Sequence, residues 1–145
     1  METTKLLLHN EKNLEIHLDF ELAEKALSSV EENEECHFQF VEVAFVDEQE
    51  IVEVNEQYLG KNYITDIITF RYDEDETRGA VEATLFCCAP RIIEQAEELS
   101  ETKEREFLRI FIHGLLHLAG YNDQTKEEEK TIRNRENFYL NEILS

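Results

Sequence analysis

The sequence predicts an α+β fold: a single domain in which a small mixed four-stranded sheet is packed with helices around one buried central helix. Three observations predict it. Hydrophobic spacing switches between strand and helix periods in the order β-α-β-α-β-β-α-α-α. The stretch after Thr102 runs through Phe107, Leu108, Phe111, Leu115 and Leu116 and is apolar nearly all round over its second half, as a helix enclosed by its neighbours is. One proline and four glycines in 145 residues leave little chain for linkers, so residues 1–145 are expected to form one domain.

The elements follow in order. Thr3 to His9 reads as a short strand. From Asp19, a suitable N-cap, Leu22, Ala23, Ala26, Leu27 and Val30 recur at helical spacing. The acidic run Glu31 to Glu35 is expected to be a solvated loop. Cys36 to Val46, rich in Phe and Val, reads as a buried strand. Asp47 with Glu50 has the form of a capping box, opening a helix whose face is Ile51, Val54 and Tyr58 and which Gly60 ends. Thr65 to Tyr72 and Val81 to Cys88 are strands around the polar loop Asp73 to Gly79. Pro90 suits the first position of a helix with the core face Ile92, Ile93, Ala96 and Leu99. Ser100 or Thr102 caps the central helix. Thr125 and Glu128 form a second capping box, opening a last helix that packs through Ile132, Tyr139 and Ile143. The helices are expected to cover one face of the sheet.

Composition bounds the function classes. Thirty-four acidic residues stand against fourteen basic ones, a net charge of −20, which argues against tight non-specific binding of nucleic acid. A local cleft can still be basic, and a metal ion adds charge that this count omits. Leu6 to Leu8 is too short an apolar run for a signal-peptide core or a membrane span. The three cysteines, two of them adjacent as Cys87-Cys88, do not form a disulfide framework and predict a cytoplasmic protein. Cys87-Cys88 reads as buried strand rather than redox chemistry. The run Asp73-Glu74-Asp75-Glu76 lacks the glycine and spacing of a calcium loop.

The chemistry is concentrated in His113-Gly114-Leu115-Leu116-His117-Leu118-Ala119-Gly120-Tyr121-Asn122-Asp123. Histidines at i and i+4 lie one above the other on a helix face. Gly120 can turn the chain and bring Asp123 back towards both rings. Two nitrogens and a carboxylate oxygen, with a position open for water, describe a catalytic zinc site for one Zn2+ ion. A lone histidine on an apolar helix is ordinarily a hydrogen-bonded core residue; this spaced pair, with its glycine and third ligand, points to metal. Asp123 also has a second reading, as a turn residue beside Asn122. The spacing follows that of the metzincin proteases, which need a glutamate directly after the first histidine as general base. That position is Gly114, which disfavours peptide hydrolysis.

These residues resemble the YbeY family of bacterial endoribonucleases that mature ribosomal RNA. The resemblance extends to Asn55-Glu56-Gln57-Tyr58-Leu59-Gly60-Lys61 and Thr65-Asp66-Ile67-Ile68-Thr69-Phe70. It implies a zinc-bound α+β fold, cytoplasmic location, RNA hydrolysis and a role in ribosome assembly. The chain departs from the family in three places. Asp123 stands where the third ligand is usually histidine, Leu59 where an arginine is usual, and the stretch around Ala83 and Thr84 where Gly-Asp is usual. Lys61 is then the nearest family-matched cation. It reads as a clamp on the scissile phosphate, or as a lysine after a helix-ending glycine favoured by the helix dipole.

The leading expectation is a zinc-dependent, single-strand-specific endoribonuclease involved in rRNA maturation and ribosome biogenesis. His113, His117 and Asp123 would hold the ion, and metal-bound water would serve where no side chain is assigned as the base. Two alternatives stand beside it: a non-catalytic zinc-bound ribosome-assembly factor, favoured by Leu59 and the acidic charge, and a small metalloprotease. The expected partners are ribosomal RNA precursor and ribosomal particles, with ribosomal proteins or an assembly GTPase, for a monomer that does not engage membranes.

Overall fold

The structure, a computed structural model, describes residues 5–72 and 80–144. Its element order is β1 (Leu6–His9), α1 (Phe20–Glu34), β2 (His37–Val46), α2 (Glu48–Leu59), β3 (Ile67–Arg71), β4 (Ala80–Cys88), α3 (Ala89–Glu98), α4 (Lys103–Leu118) and α5 (Lys126–Leu144). The strands form one sheet in the order β1-β2-β4-β3. β1 and β2, and β2 and β4, pair in parallel, while β3 runs antiparallel to β4 at the edge. The expected mixed four-stranded α+β fold is what the chain adopts. The expected loop Asp73 to Gly79 lies outside the described residues, and so does the run Asp73 to Glu76 within it.

Strand alternation sorts the core. Val81, Ala83, Leu85 and Cys87 of β4 join a main cluster with Phe107, Phe111, Ile112 and Leu115 of α4, Ala26 and Val30 of α1, and Tyr139 and Leu140 of α5. The intervening Cys88, with Val46 and Ile68, packs against Ile51 of α2 in a second cluster. The sheet is therefore covered on both faces, not on one as expected: among the described residues, α2 packs on the face opposite α4. α4 occupies the centre, and ten of its residues are buried.

Local signals set the boundaries. Asp47 and Glu50 form the expected capping box, and Gly60 closes α2 at φ 68. The second box also forms: the Glu128 amide donates to Thr125 Oγ1, and the Thr125 amide donates to the Glu128 carboxylate. Thr102, not Ser100, caps α4. Two apolar assignments shift: Tyr58 is 47% exposed and Leu99 50% exposed, while buried Asn55 takes the inward position on α2 and holds the following loop by donating to the Tyr63 carbonyl at 2.9 Å.

The acidic run is helix and cap, not the expected solvated loop. Glu31 to Glu34 continue α1, and Glu35 caps it in the left-handed region. Glutamate is a good helix former, and these carboxylates have partners. Glu31 accepts from Lys5 Nζ and from the Phe38 amide, both at 2.7 Å. Glu34 accepts from Tyr121 Oη at 2.8 Å, from Arg135 Nη2 at 2.6 Å and from the Tyr139 hydroxyl. That network ties α1 to α5 and to the turn after α4.

Candidate metal centre

The site is built on the last turns of α4. His113 and His117 stack as i,i+4 neighbours, with ring centroids 4.5 Å apart. The chain leaves α4 at Ala119, and Gly120 takes φ 111, a conformation that L side chains rarely adopt. The turn brings Asp123 Oδ2 to 3.4 Å from His113 Nε2 and 3.3 Å from His117 Nε2. The two Nε2 atoms are 3.0 Å apart. Tetrahedral zinc with Zn–N bonds of about 2.0 Å places its donors roughly 3.3 Å from one another, so this donor set fits the ion. Of the described residues, these three form the group able to hold a metal.

The far side of each ring fixes its tautomer. His113 Nδ1 lies 2.6 Å from Glu136 Oε2, and His117 Nδ1 lies 2.9 Å from the Tyr121 carbonyl. Both partners are acceptors, so each Nδ1 carries its ring's proton and each Nε2 presents a lone pair. Two lone pairs and a carboxylate oxygen thus converge on one point, an arrangement that suits a bound cation.

The sequence pattern marks Glu136 only once the buried face of α5 is known. It is the one charged member of the buried α5 stripe Ile132, Glu136, Tyr139 and Leu140. Its carboxylate is almost wholly enclosed and accepts from Arg109 Nη1 at 3.0 Å. Burial pushes the Glu136 carboxyl up, but the hydrogen bond from His113 and the charge and hydrogen bond of Arg109 outweigh it, holding it below the usual range. Arg109 also donates to buried Glu106 through Nε at 2.9 Å, and through Nη2. Burial opposes the Arg109 charge, yet the two glutamates raise its pKa. Gln95 completes the network by donating to Asp66 Oδ2 at 3.2 Å and Glu106 Oε2 at 3.3 Å. These groups were not legible as a set because they come from three helices and a loop.

A cleft of about 360 Å³ opens beside the histidines, lined by Asp66, Arg91, Gln95, Arg109, His113, Asp123 and Arg133 among others. Its size falls in the range of ligand clefts. Lys61 does not line this cleft; it is exposed after Gly60 with its Nζ 6.0 Å from the Tyr63 ring centre. Leu59 is exposed at the end of α2. Thr84, by contrast, is buried, and its hydroxyl pairs with Tyr72 Oη at 2.7 Å. Cys87 and Cys88 are buried and free, and burial raises both thiols, Cys88 to about 11, which keeps them unreactive.

Gly114 faces the sheet. A Cβ there would stand 2.8 Å from Ile67 Cδ1 and 3.1 Å from Leu85 Cδ1. A side chain at this position would enter the core between α4, β3 and β4 rather than reach the convergence point. Among the described residues no helix is long and apolar enough to cross a membrane.

Comparison with known proteins places this geometry in context. A family model described as Endoribonuclease YbeY matches residues 7–144. The chain is 40% identical over 104 residues to a protein of Ureaplasma urealyticum named Endoribonuclease YbeY, covering 72% of this chain and 67% of that one. It is 32% identical over 114 residues to the protein of the same name from Cytophaga hutchinsonii, covering 79% and 78%. The fold is similar to the solution structure of a Thermotoga maritima protein, with a TM-score of 0.59 and 30% identity, covering 95% of this chain and 88% of that one.

Proposed function

The chain belongs to the YbeY endoribonuclease family, and from that premise we propose that it is a zinc-dependent, single-strand-specific endoribonuclease acting in rRNA maturation and ribosome biogenesis. The observation that carries the reading is the convergence of His113 Nε2, His117 Nε2 and Asp123 Oδ2 beside a cleft that arginines line. Two imidazoles and one carboxylate suit zinc and leave a coordination position open, as catalytic sites do. When bound, the ion would polarise a phosphoryl oxygen and lower the pKa of water.

The chain's own groups hold and orient. Glu136 and the Tyr121 carbonyl lock the two rings in the ligating tautomer. The arginine-lined cleft takes the RNA backbone, and Lys61 is the further cation assigned to substrate phosphate. In the hydrolysis, water adds to phosphorus and the ester P–O bond breaks, the proton going to the leaving oxygen. The partners in this reading are ribosomal RNA precursor and ribosomal particles, met by a cytoplasmic monomer.

A second reading, a non-catalytic zinc-bound assembly factor that meets basic ribosomal proteins or an assembly GTPase, is favoured by the charge of −20 and by exposed Leu59. The peptidase reading is disfavoured because position 114 gives no carboxylate access to the site. The deciding experiment measures zinc per chain alongside cleavage of single- and double-stranded RNA, for the protein and for His117→Ala. Zinc-dependent cutting of the single strand, lost with His117, is expected. A zinc-loaded protein that cuts no RNA but still binds ribosomal particles overturns the enzyme reading in favour of the assembly factor.

A further inference from the structure

The cleft beside the histidines is an electrostatic exception in a chain of net charge −20: Arg91, Arg109 and Arg133 balance Asp66, Glu98 and Asp123 in its lining. The three arginines are not equivalent. Arg91 is engaged by Glu94 and by Glu98, the latter at 3.2 Å. Arg109 has a side chain only 12% exposed and spends its donors on Glu106 and Glu136. Arg133 is different. Its side chain is 54% exposed, and its ion pair among the described residues is Nε to Glu136 Oε1 at 3.5 Å.

That contact is long, since charge-assisted bonds of this kind run about 2.7–2.9 Å. The same Glu136 oxygen already accepts from Arg109 at 3.0 Å, and the other faces His113 at 2.6 Å. The Glu136 charge is therefore largely spent, and Arg133 keeps the terminal fork of its guanidinium. One turn of α5 separates Arg133 from Glu136, so the two are surface neighbours, and Glu136 touches His113 directly.

We propose that Arg133 is a substrate-binding residue: its guanidinium grips a backbone phosphate of single-stranded RNA lying in this cleft against His113 and Asp123. The inference rests on the endoribonuclease reading above. A planar fork of N–H donors matches two phosphate oxygens, and an exposed head reaches a flexible strand without breaking an internal pair. The acidic remainder of the surface repels RNA, so binding concentrates where the lining is balanced and a divalent ion makes it positive.

The test compares zinc-loaded protein with Arg133→Ala, Arg133→Lys and, as a control for net charge, Lys25→Ala on α1. Binding of a fluorescent single-stranded 2′-O-methyl RNA is followed by anisotropy across a salt series, and cleavage of the matching RNA gives KM and kcat. Arg133→Ala should bind about tenfold more weakly, with the log–log salt slope lower by about 0.7, the share of one phosphate on a single strand. KM should rise while kcat and zinc content hold. Arg133→Lys should restore the slope and part of the affinity, and Lys25→Ala should match the parent. If the parent cuts RNA while Arg133→Ala keeps its slope and KM, the assignment of Arg133 is overturned and the nuclease reading stands. It is equally overturned if Arg133→Ala loses zinc, or if Lys25→Ala weakens binding as much. A parent that neither binds nor cuts RNA overturns the nuclease reading itself, and the phosphate contact with it.

Discussion

His113, His117 and Asp123 are held unequally, and this decides what each substitution does. His113 and His117 are anchored through Nδ1 to Glu136 and to the Tyr121 carbonyl. Removing either ring leaves two protein donors, so His113→Ala should hold little zinc by elemental analysis; retention of a full equivalent would count against the site. Asp123 is partly exposed on the turn. Asp123→His should keep or raise zinc affinity in a chelator competition, whereas Asp123→Ala should lower it, because imidazole and carboxylate ligate at similar bond lengths. Equal metal content in the two variants would make Asp123 a turn residue only. Glu136→Gln should weaken zinc binding by about tenfold to a hundredfold, since the amide orients the ring less firmly and removes a charge facing it. The histidine pair was legible because four residues are one helical turn. Glu136, twenty-three positions later, reaches His113 only through helix packing.

At the scale of elements, α4 meets the sheet closely where Gly114 leaves no side chain. Gly114→Glu would bury a carboxylate between Ile67 and Leu85. An uncompensated buried charge costs several kcal/mol, so thermal melting should collapse before any peptidase activity is gained. A folded, zinc-loaded Gly114→Glu protein that cuts peptides would overturn this. The extension of α1 through Glu34 adds a pH dependence. Burial raises the Glu34 carboxyl, but hydrogen bonds from Tyr139, Arg135 and Tyr121 outweigh it and hold its pKa below the usual value. A carboxyl depressed in the folded state stabilises the protein above its unfolded pKa, near 4.3 for Glu, and that contribution is lost as pH falls through the folded pKa. Glu34→Gln should therefore cost about 2 kcal/mol at pH 7 by denaturant titration, with the difference from the parent shrinking below about pH 4. A pH-independent difference would show that the charge is not involved. Helix starts were legible because Asp19, Asp47, Thr102 and Thr125 are local caps. The end of α1 was not, because what holds Glu31 and Glu34 comes from distant segments.

For the whole molecule, thirty-four acids on 145 residues impose self-repulsion that folding must overcome. Raising salt from about 10 mM to about 150 mM shortens the Debye length from roughly 30 Å to 8 Å. The melting temperature of the metal-free protein should therefore rise, by about 3 °C for each kcal/mol of relief. The same salt should weaken RNA binding, because release of counterions drives that association. Opposite signs for stability and affinity would place the favourable charge in the cleft. A melting temperature that falls with salt would instead give ion pairs such as Arg109 with Glu106 and Glu136 the larger share.

By itself the sequence determined the order of elements, most of their caps, and the histidine pair with its glycine turn. Each of these is written in residues within a turn or two of one another. Tertiary structure alone decided that α2 covers the second face of the sheet, since a strand's alternation names two faces without saying what packs on either. It also decided that the acidic run is helix and that Gly114 points into the core. The same holds for the network of Glu136, Arg109 and Glu106, which sets the His113 tautomer and leaves Arg133 with an open fork. Long-range packing selects among partners that local chemistry permits equally, and for that reason these features have no signature at short spacing.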